Sequence, residues 1–137
     1  MIKVENLSKY YGEVKAVKSI NFELNDGEVV GFLGANGAGK STTLKVMTGY
    51  LTATSGNVYV NDLDIQEDAF EIQKQIGYLP ELNPLYGEMR VYDLLEFTAK
   101  IRNITGKAFK NALARVVEQS GLRGVIHRMV SECSKGY

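Results

Sequence analysis

Cysteine is nearly missing from this sequence, and long apolar runs, net charge and a leader-like start are missing altogether. With Cys133 the single cysteine, no internal disulfide can form, which agrees with a reducing compartment. The longest nearly unbroken apolar stretch is VVGFLGA at 29–35. That is far short of the roughly 20 residues needed to cross a bilayer, so no membrane span is expected. The opening residues, MIKVENLSKYYG, mix charges of both signs and lack the apolar core of a secretory signal; a cytosolic location is the expectation. Sixteen basic residues balance sixteen acidic ones, so no global basic field points to a nucleic-acid partner.

At 137 residues and 45% hydrophobic, the chain can build one core and is too short for two ordinary domains. Its charge is unevenly spread. Residues 62–96 hold nine acids against Lys74 and Arg90, a net of −7, and 97–137 hold eight bases against Glu118 and Glu132, a net of +6. Two oppositely charged solvated faces, or a docking surface, would both produce this pattern.

Coarse organisation follows from periodicity. Ile2, Lys3 and Val4 open a strand, and INFEL at 20–24 alternates apolar and polar until Asn25-Asp26-Gly27 turns the chain, so the two read as a hairpin edge. EVVGFLG at 28–34 is apolar on both faces, as in a central strand of a covered sheet. A short helix is predicted from about Gly39, with Leu44, Met47 and Leu51 as its buried face until Thr48-Gly49 interrupts it. NVYVN at 57–61 reads as a strand, 68–75 as a helical turn, and IGYLP at 76–80 as a second buried strand. Pro80 and Pro84 then enforce an irregular connection. Two helices follow, the second carrying Phe109, Ala112, Leu113, Val116 and Val117 on one stripe that stops at Ser120-Gly121. The fold class is α/β.

The strongest chemical signal is Gly34-Ala35-Asn36-Gly37-Ala38-Gly39-Lys40-Ser41, which satisfies G-x-x-x-x-G-K-[ST] between a predicted buried strand and a predicted helix. Gly34, Gly37 and Gly39 permit positive φ and close backbone approach, so that successive N–H groups, those of Asn36, Ala38 and Thr42 among them, converge on phosphate oxygens at a helix N-terminus. Lys40 brings a point charge to the terminal phosphates, and Ser41 offers a hydroxyl to Mg²⁺. A nucleoside triphosphate with Mg²⁺ is the expected ligand.

The residues around this loop resemble the ATP-binding subunit of ABC transporters along the whole length, from LSKYYGEVKAVKSINFEL to SECSKGY. The resemblance implies a P-loop NTPase of the ABC nucleotide-binding type, with an antiparallel β edge and a helical subdomain, divided as a core at 1–81 and a helical part at 82–137. It implies ATP as the nucleotide, with Tyr11 stacking on adenine, although a strand-end tyrosine packed on Tyr10 would look the same in sequence. IGYLPE at 76–81 is similar to the family's Q-loop strand, with Glu81 where glutamine is usual; there it would contact Mg²⁺. Cys133-Ser134-Lys135-Gly136-Tyr137 aligns with the family signature, matching at Ser134 and Gly136, which grip the γ-phosphate held by a second copy of the subunit. The loop after Glu81 implies contact with a membrane-spanning partner subunit. Tyr86 and Met89 either make that contact or seal the helical part. The stretch PELNPLYGEMRVYDLL is similar to the exporter branch that includes sodium-export and gliding-motility systems. His127 and Cys133 could suggest a nucleophile pair, but the resemblance assigns them a variable and an apolar position.

Hydrolysis needs more than a cradle, because a water must be positioned and charge developing on the γ-phosphoryl group must be met. The family supplies these from an apolar strand ending in Asp-Glu and from a histidine after the signature. No such run occurs here, and His127, the only histidine, precedes the signature. The expectation is the N-terminal part of an ATPase domain, cut at its signature, which binds ATP·Mg²⁺ but does not turn it over alone. It would sit on the inner membrane face beside its partner and bind no nucleic acid. Two alternatives stay open: a soluble ATPase of the same class acting on nucleic acid or ribosomes, and another P-loop protein such as a kinase or GTPase.

Overall fold

The computed structural model describes residues 1–81 and 84–134. The chain divides into two units, Met1–Leu79 and Pro80–Tyr137.

The first unit is mixed α/β and is built on a four-stranded antiparallel sheet. Its strands are β1 (Ile2–Tyr11), β2 (Val14–Leu24), β3 (Ser55–Val60) and β4 (Leu63–Asp64), in the order β2-β1-β3-β4. The hairpin edge is present, with Ile2 opposite Leu24 and Val4 opposite Phe22, but both strands run much further than the alternation suggested. Bulges account for the difference: Asn6 (φ 50°) and Ser19 (φ 45°) take positive φ and shift the register, so the period-two signal breaks while pairing continues. Side chains repair the ladder there. Asn6 N–H donates to Asn21 Oδ1 at 2.7 Å, and Ser19 N–H donates to Ser8 Oγ at 3.0 Å.

Helices α1 (Lys40–Met47) and α2 (Ala69–Gln75) belong to the same unit. Its core joins Val4 and Leu7 of β1, Val58 and Val60 of β3, Val46 and Met47 of α1, and Ile65 and Ile72. The buried face of α1 is therefore Thr43, Val46 and Met47; Leu44 is exposed and Leu51 lies beyond the helix, against the expected Leu44-Met47-Leu51 stripe. The polar Thr43 can be buried because its hydroxyl is satisfied locally, donating to the carbonyl of Gly39 at 3.0 Å.

Two expected strands do not form. EVVGFLG has no regular secondary structure and no strand pairing, and Val29, at 103% exposure, marks how far it lies from any core. A strand requires a hydrogen-bonded neighbour, and among the described residues all strand pairing is used within β1 to β4. IGYLP is likewise irregular and unpaired, with Leu79 exposed.

The second unit contains helices α3 (Val91–Ile101) and α4 (Gly106–Gln119), followed by 3₁₀ turns at Leu122–Gly124 and Val130–Glu132. The predicted stripe of α4 is its half-buried face, and the helix ends where expected, with Gly121 at φ 63°. Tyr92 meets Phe109 edge-on at 6.1 Å. Leu122 and Val125 are its buried residues.

Candidate nucleotide-binding site

The helix end of the Gly34–Ser41 loop is set by close packing on β2. Gly39 adopts φ 84°, and a Cβ there would run into the carbonyl oxygen of Ala16 and approach Val17 Cγ2 to 3.0 Å, so glycine is required on both counts. Its carbonyl accepts from Thr43 N–H at 2.8 Å and from the Thr43 hydroxyl, which locks the first turn of α1. The amides of Lys40, Ser41 and Thr42 have no carbonyl partner among the described residues, as first-turn amides of a helix do not. They are free donors at the positive end of a helix dipole.

The rest of the loop is a tight turn. Ala38 N–H donates to Ala35 carbonyl at 3.1 Å, and Gly37 takes φ 83° with open space where a side chain would stand. Gly34 does not use a positive φ; its bare Cα matters because a Cβ would meet Ala38 Cβ at 3.3 Å and the Lys40 stem at 3.7 Å. Lys40 folds back across the loop, its ammonium donating to the carbonyls of Gly34 at 2.6 Å and Ala35 at 2.8 Å. Asn36, Ala38 and Ser41 are exposed and Thr42 half-buried. One cation, unpaired helix-start amides and an exposed hydroxyl thus converge at one place, a donor set suited to a polyanion.

Tyr11 lies at the same end of the sheet. It closes β1 opposite Val14, two residues before Ala16, the residue pressed on Gly39. Tyr11 is 46% exposed, and the ammonium of Lys9 stands 5.4 Å from its ring centroid. Neither Lys9 nor the Ala16-Val17 wall was found from sequence; reading LSKYYGEVKAV as one hairpin would have set Lys9 opposite Val17. At the strand end, Glu28 accepts from Asn25 N–H at 2.9 Å and Asn25 Nδ2 at 3.2 Å. The backbone donor of Asn25, then its side chain, hold the Glu28 carboxyl below the usual glutamate range.

The remaining candidates belong to the second unit. Glu81 is exposed near its start. Tyr86 is 60% exposed with its ring edge-on to Phe97 at 5.9 Å, while Met89 is half-buried and its carbonyl accepts from Val130 N–H at 2.9 Å. Ser134 is exposed and follows the last 3₁₀ turn; Gly136 lies outside the described residues. The Cys133 thiol contacts the Met129 carbonyl at 3.5 Å, and His127 is exposed. Two surface cavities, about 380 Å³ lined by Met1, Lys3, Glu5, Tyr59 and Asp62 and about 150 Å³ between α3 and α4, touch no residue of the loop.

Comparison with known proteins places the chain in a family. The family described as ABC transporter matches residues 17–137. The probable multidrug ABC transporter ATP-binding protein YbhF of Escherichia coli (strain K12) is 34% identical over 137 residues, all of this chain and 24% of that protein. The linearmycin resistance ATP-binding protein LnrL of Bacillus subtilis (strain 168) is 37% identical over 122 residues, 89% of this chain and 39% of that one. The chain thus spans less than half the length of these curated relatives. Among solved structures, an ATP-binding subunit of an ABC transporter superposes with a TM-score of 0.85 at 25% identity, covering 98% of this chain and 56% of that one. A bacterial ABC transporter cassette solved as a dimer gives 0.82 at 26% identity, covering 98% and 64%. The fold is therefore that of the P-loop NTPases of ABC type, and with the family match reaching from Val17 to the last residue, the chain belongs to the ABC transporter family.

Proposed function

We propose that this chain is the ATP-binding part of an ABC transporter subunit whose full form couples ATP hydrolysis to transport across a membrane. The observation that carries the reading is Lys40 at the head of α1, its ammonium folded back across a tight loop that needs the bare Cα of Gly34 and Gly39 and the positive φ of Gly37 and Gly39. ATP would be held by Lys40 and the free amides from Lys40 to Thr42, with Asn36, Gly37 and Ala38 forming the outer lip. The ammonium would exchange the Gly34 and Ala35 carbonyls for phosphate oxygens, a charge-assisted gain. Tyr11 offers a flat face to adenine. Mg²⁺, held chiefly by phosphate oxygens, would find the Ser41 hydroxyl, and when bound it neutralises charge on the terminal phosphates.

The roles of Glu81 at Mg²⁺, and of Ser134 with Gly136 toward a second copy of the subunit, rest on resemblance alone, as does contact of Tyr86 and Met89 with a membrane-spanning subunit. A peripheral location on the inner membrane face follows from that partnership; among the described residues no helix is long and apolar enough to cross a membrane. The balanced charge supports neither nucleic acid nor ribosomes as partner. Names such as multidrug ABC transporter, linearmycin resistance and bacitracin transport, borne by relatives, support a role in transport.

The test is a calorimetric titration with ATP and Mg²⁺, alongside a phosphate-release assay. Saturable binding that Lys40→Ala weakens at least tenfold, with release at background, is expected. Turnover that disappears in Lys40→Ala would show that this chain already holds a complete catalytic set.

A further inference from the structure

Tyr11 makes no aromatic contact among the described residues, and nearly half of its surface faces solvent. Such a ring is a poor platform by itself, since holding it in one rotamer costs entropy each time a base lands on it. One contact restrains it. The Lys9 ammonium, two residues earlier on β1, lies over the ring at 5.4 Å from the centroid, inside the range in which the negative face of an aromatic attracts a cation.

Lys9 is itself anchored. Its ammonium donates to the Thr52 carbonyl at 2.7 Å. The segment bearing Thr52 is tied back to β1 twice, by Thr54 N–H to the Ser8 carbonyl at 2.9 Å and by Tyr10 N–H to Thr54 Oγ1 at 3.0 Å. Sheet, crossing segment, carbonyl, ammonium and ring thus form one connected support. A cation on one face withdraws electron density and leaves the other face better suited to an electron-rich purine. The neighbouring pair, Lys15 at 5.9 Å from the half-buried Tyr10, provides an internal contrast, being longer and set on a ring with less exposed surface.

We infer that Lys9 is a positioning residue for the base of the nucleotide: it pins Tyr11 from one side and reserves the other side for adenine. This rests on the reading of the loop as an ATP site and adds a residue that acts through Tyr11, without touching phosphate.

The experiment is calorimetric titration of ATP with Mg²⁺, and separately of inorganic tripolyphosphate, into the wild type, Lys9→Met, Lys9→Arg, Tyr11→Ala and the Lys9→Met/Tyr11→Ala double variant. Lys9→Met should weaken ATP about two- to fivefold, the range of an exposed cation–π contact, and leave tripolyphosphate unchanged. Lys9→Arg, which keeps both cation and donor, should restore ATP affinity. In the Tyr11→Ala background the Lys9 change should add nothing. Should Lys9→Met fold poorly, Lys9→Gln, with a donor but no charge, takes its place. Unchanged ATP affinity, an equal loss for both ligands, or a loss that persists without Tyr11 would overturn the inference while leaving the ATP site standing. A wild type that binds tripolyphosphate but not ATP removes the adenine platform and this inference with it, and one that binds neither removes the proposed function as well.

Discussion

On the helix side of the Gly34–Ser41 loop every constraint is internal. Gly39 is wedged against Ala16 and Val17, Thr43 closes the first turn twice over, and Val46 and Met47 are buried among β1 and β3 residues. On the strand side, Val29, Val30 and Leu33 are exposed, the backbone pairs with no strand among the described residues, and the main apolar contact is Phe22 with Phe32 at 5.8 Å. Half of the proposed phosphate cradle is thus fixed by folding alone. The other half is held chiefly by Lys40 reaching across to Gly34 and Ala35. A site of this kind has a rigid dipole end and an adaptable lip, and a ligand that replaces the lysine's two carbonyl contacts also decides how the lip is ordered.

The contrast is open to direct attack. The largest effect is expected in the shared core. Leu7, at 0% exposure, should cost about 3 kcal/mol on change to alanine, whereas Leu33→Ala, at 92%, should stay within about 0.5 kcal/mol in urea unfolding. Equal losses would mean that the strand arm is packed after all. Next comes a test inside the loop. Both Gly37 and Gly39 have positive φ, but only Gly39 has a wall behind it, so Gly39→Ala should destabilise by about 2 kcal/mol or more and Gly37→Ala by about 1 kcal/mol. Hydrogen exchange sharpens the comparison further: amides at 29–33 should exchange on the fastest timescale, and those of Val4, Val58 and Val60 on the slowest.

The smallest effect concerns the turn that leads into the strand arm. The hydrogen bonds from Asn25 depress the Glu28 carboxyl below its ordinary value, so its contribution is present above the unfolded glutamate range and is lost as pH falls through the lower folded value. Glu28→Gln should therefore melt slightly below the wild type at neutral pH, and the gap should close under acid conditions. A gap that widens on acidification would contradict that sign.

How far this could be read in advance depended on whether the determinant was local. The α4 stripe, its stop at Ser120-Gly121 and the P-loop spacing are signals within a few residues, and the helices formed where the pattern put them. The full length of β1 and β2 was hidden because Asn6 and Ser19 insert bulges into the alternation. The failure of EVVGFLG and IGYLP to become strands was also out of reach, since apolarity on two faces reports what a segment could be buried by, and not whether a neighbour is there to pair with it. For the same reason the motif gave the identities of Gly34, Lys40 and Ser41, while the wall of Ala16 and the ammonium of Lys9 emerged only once the hairpin register was known.

The central claim is that the stretch from Gly34 to Thr42 closes on a nucleotide tail. Amide exchange across 29–47, followed while ATP and Mg²⁺ are titrated in, tests it most directly. Saturable slowing from 34 to 42 is predicted, with the buried part of α1 already slow and unchanged, and with the response absent in Lys40→Ala. Exchange that stays the same throughout this stretch at saturating ATP, in protein whose sheet amides remain protected, would contradict it.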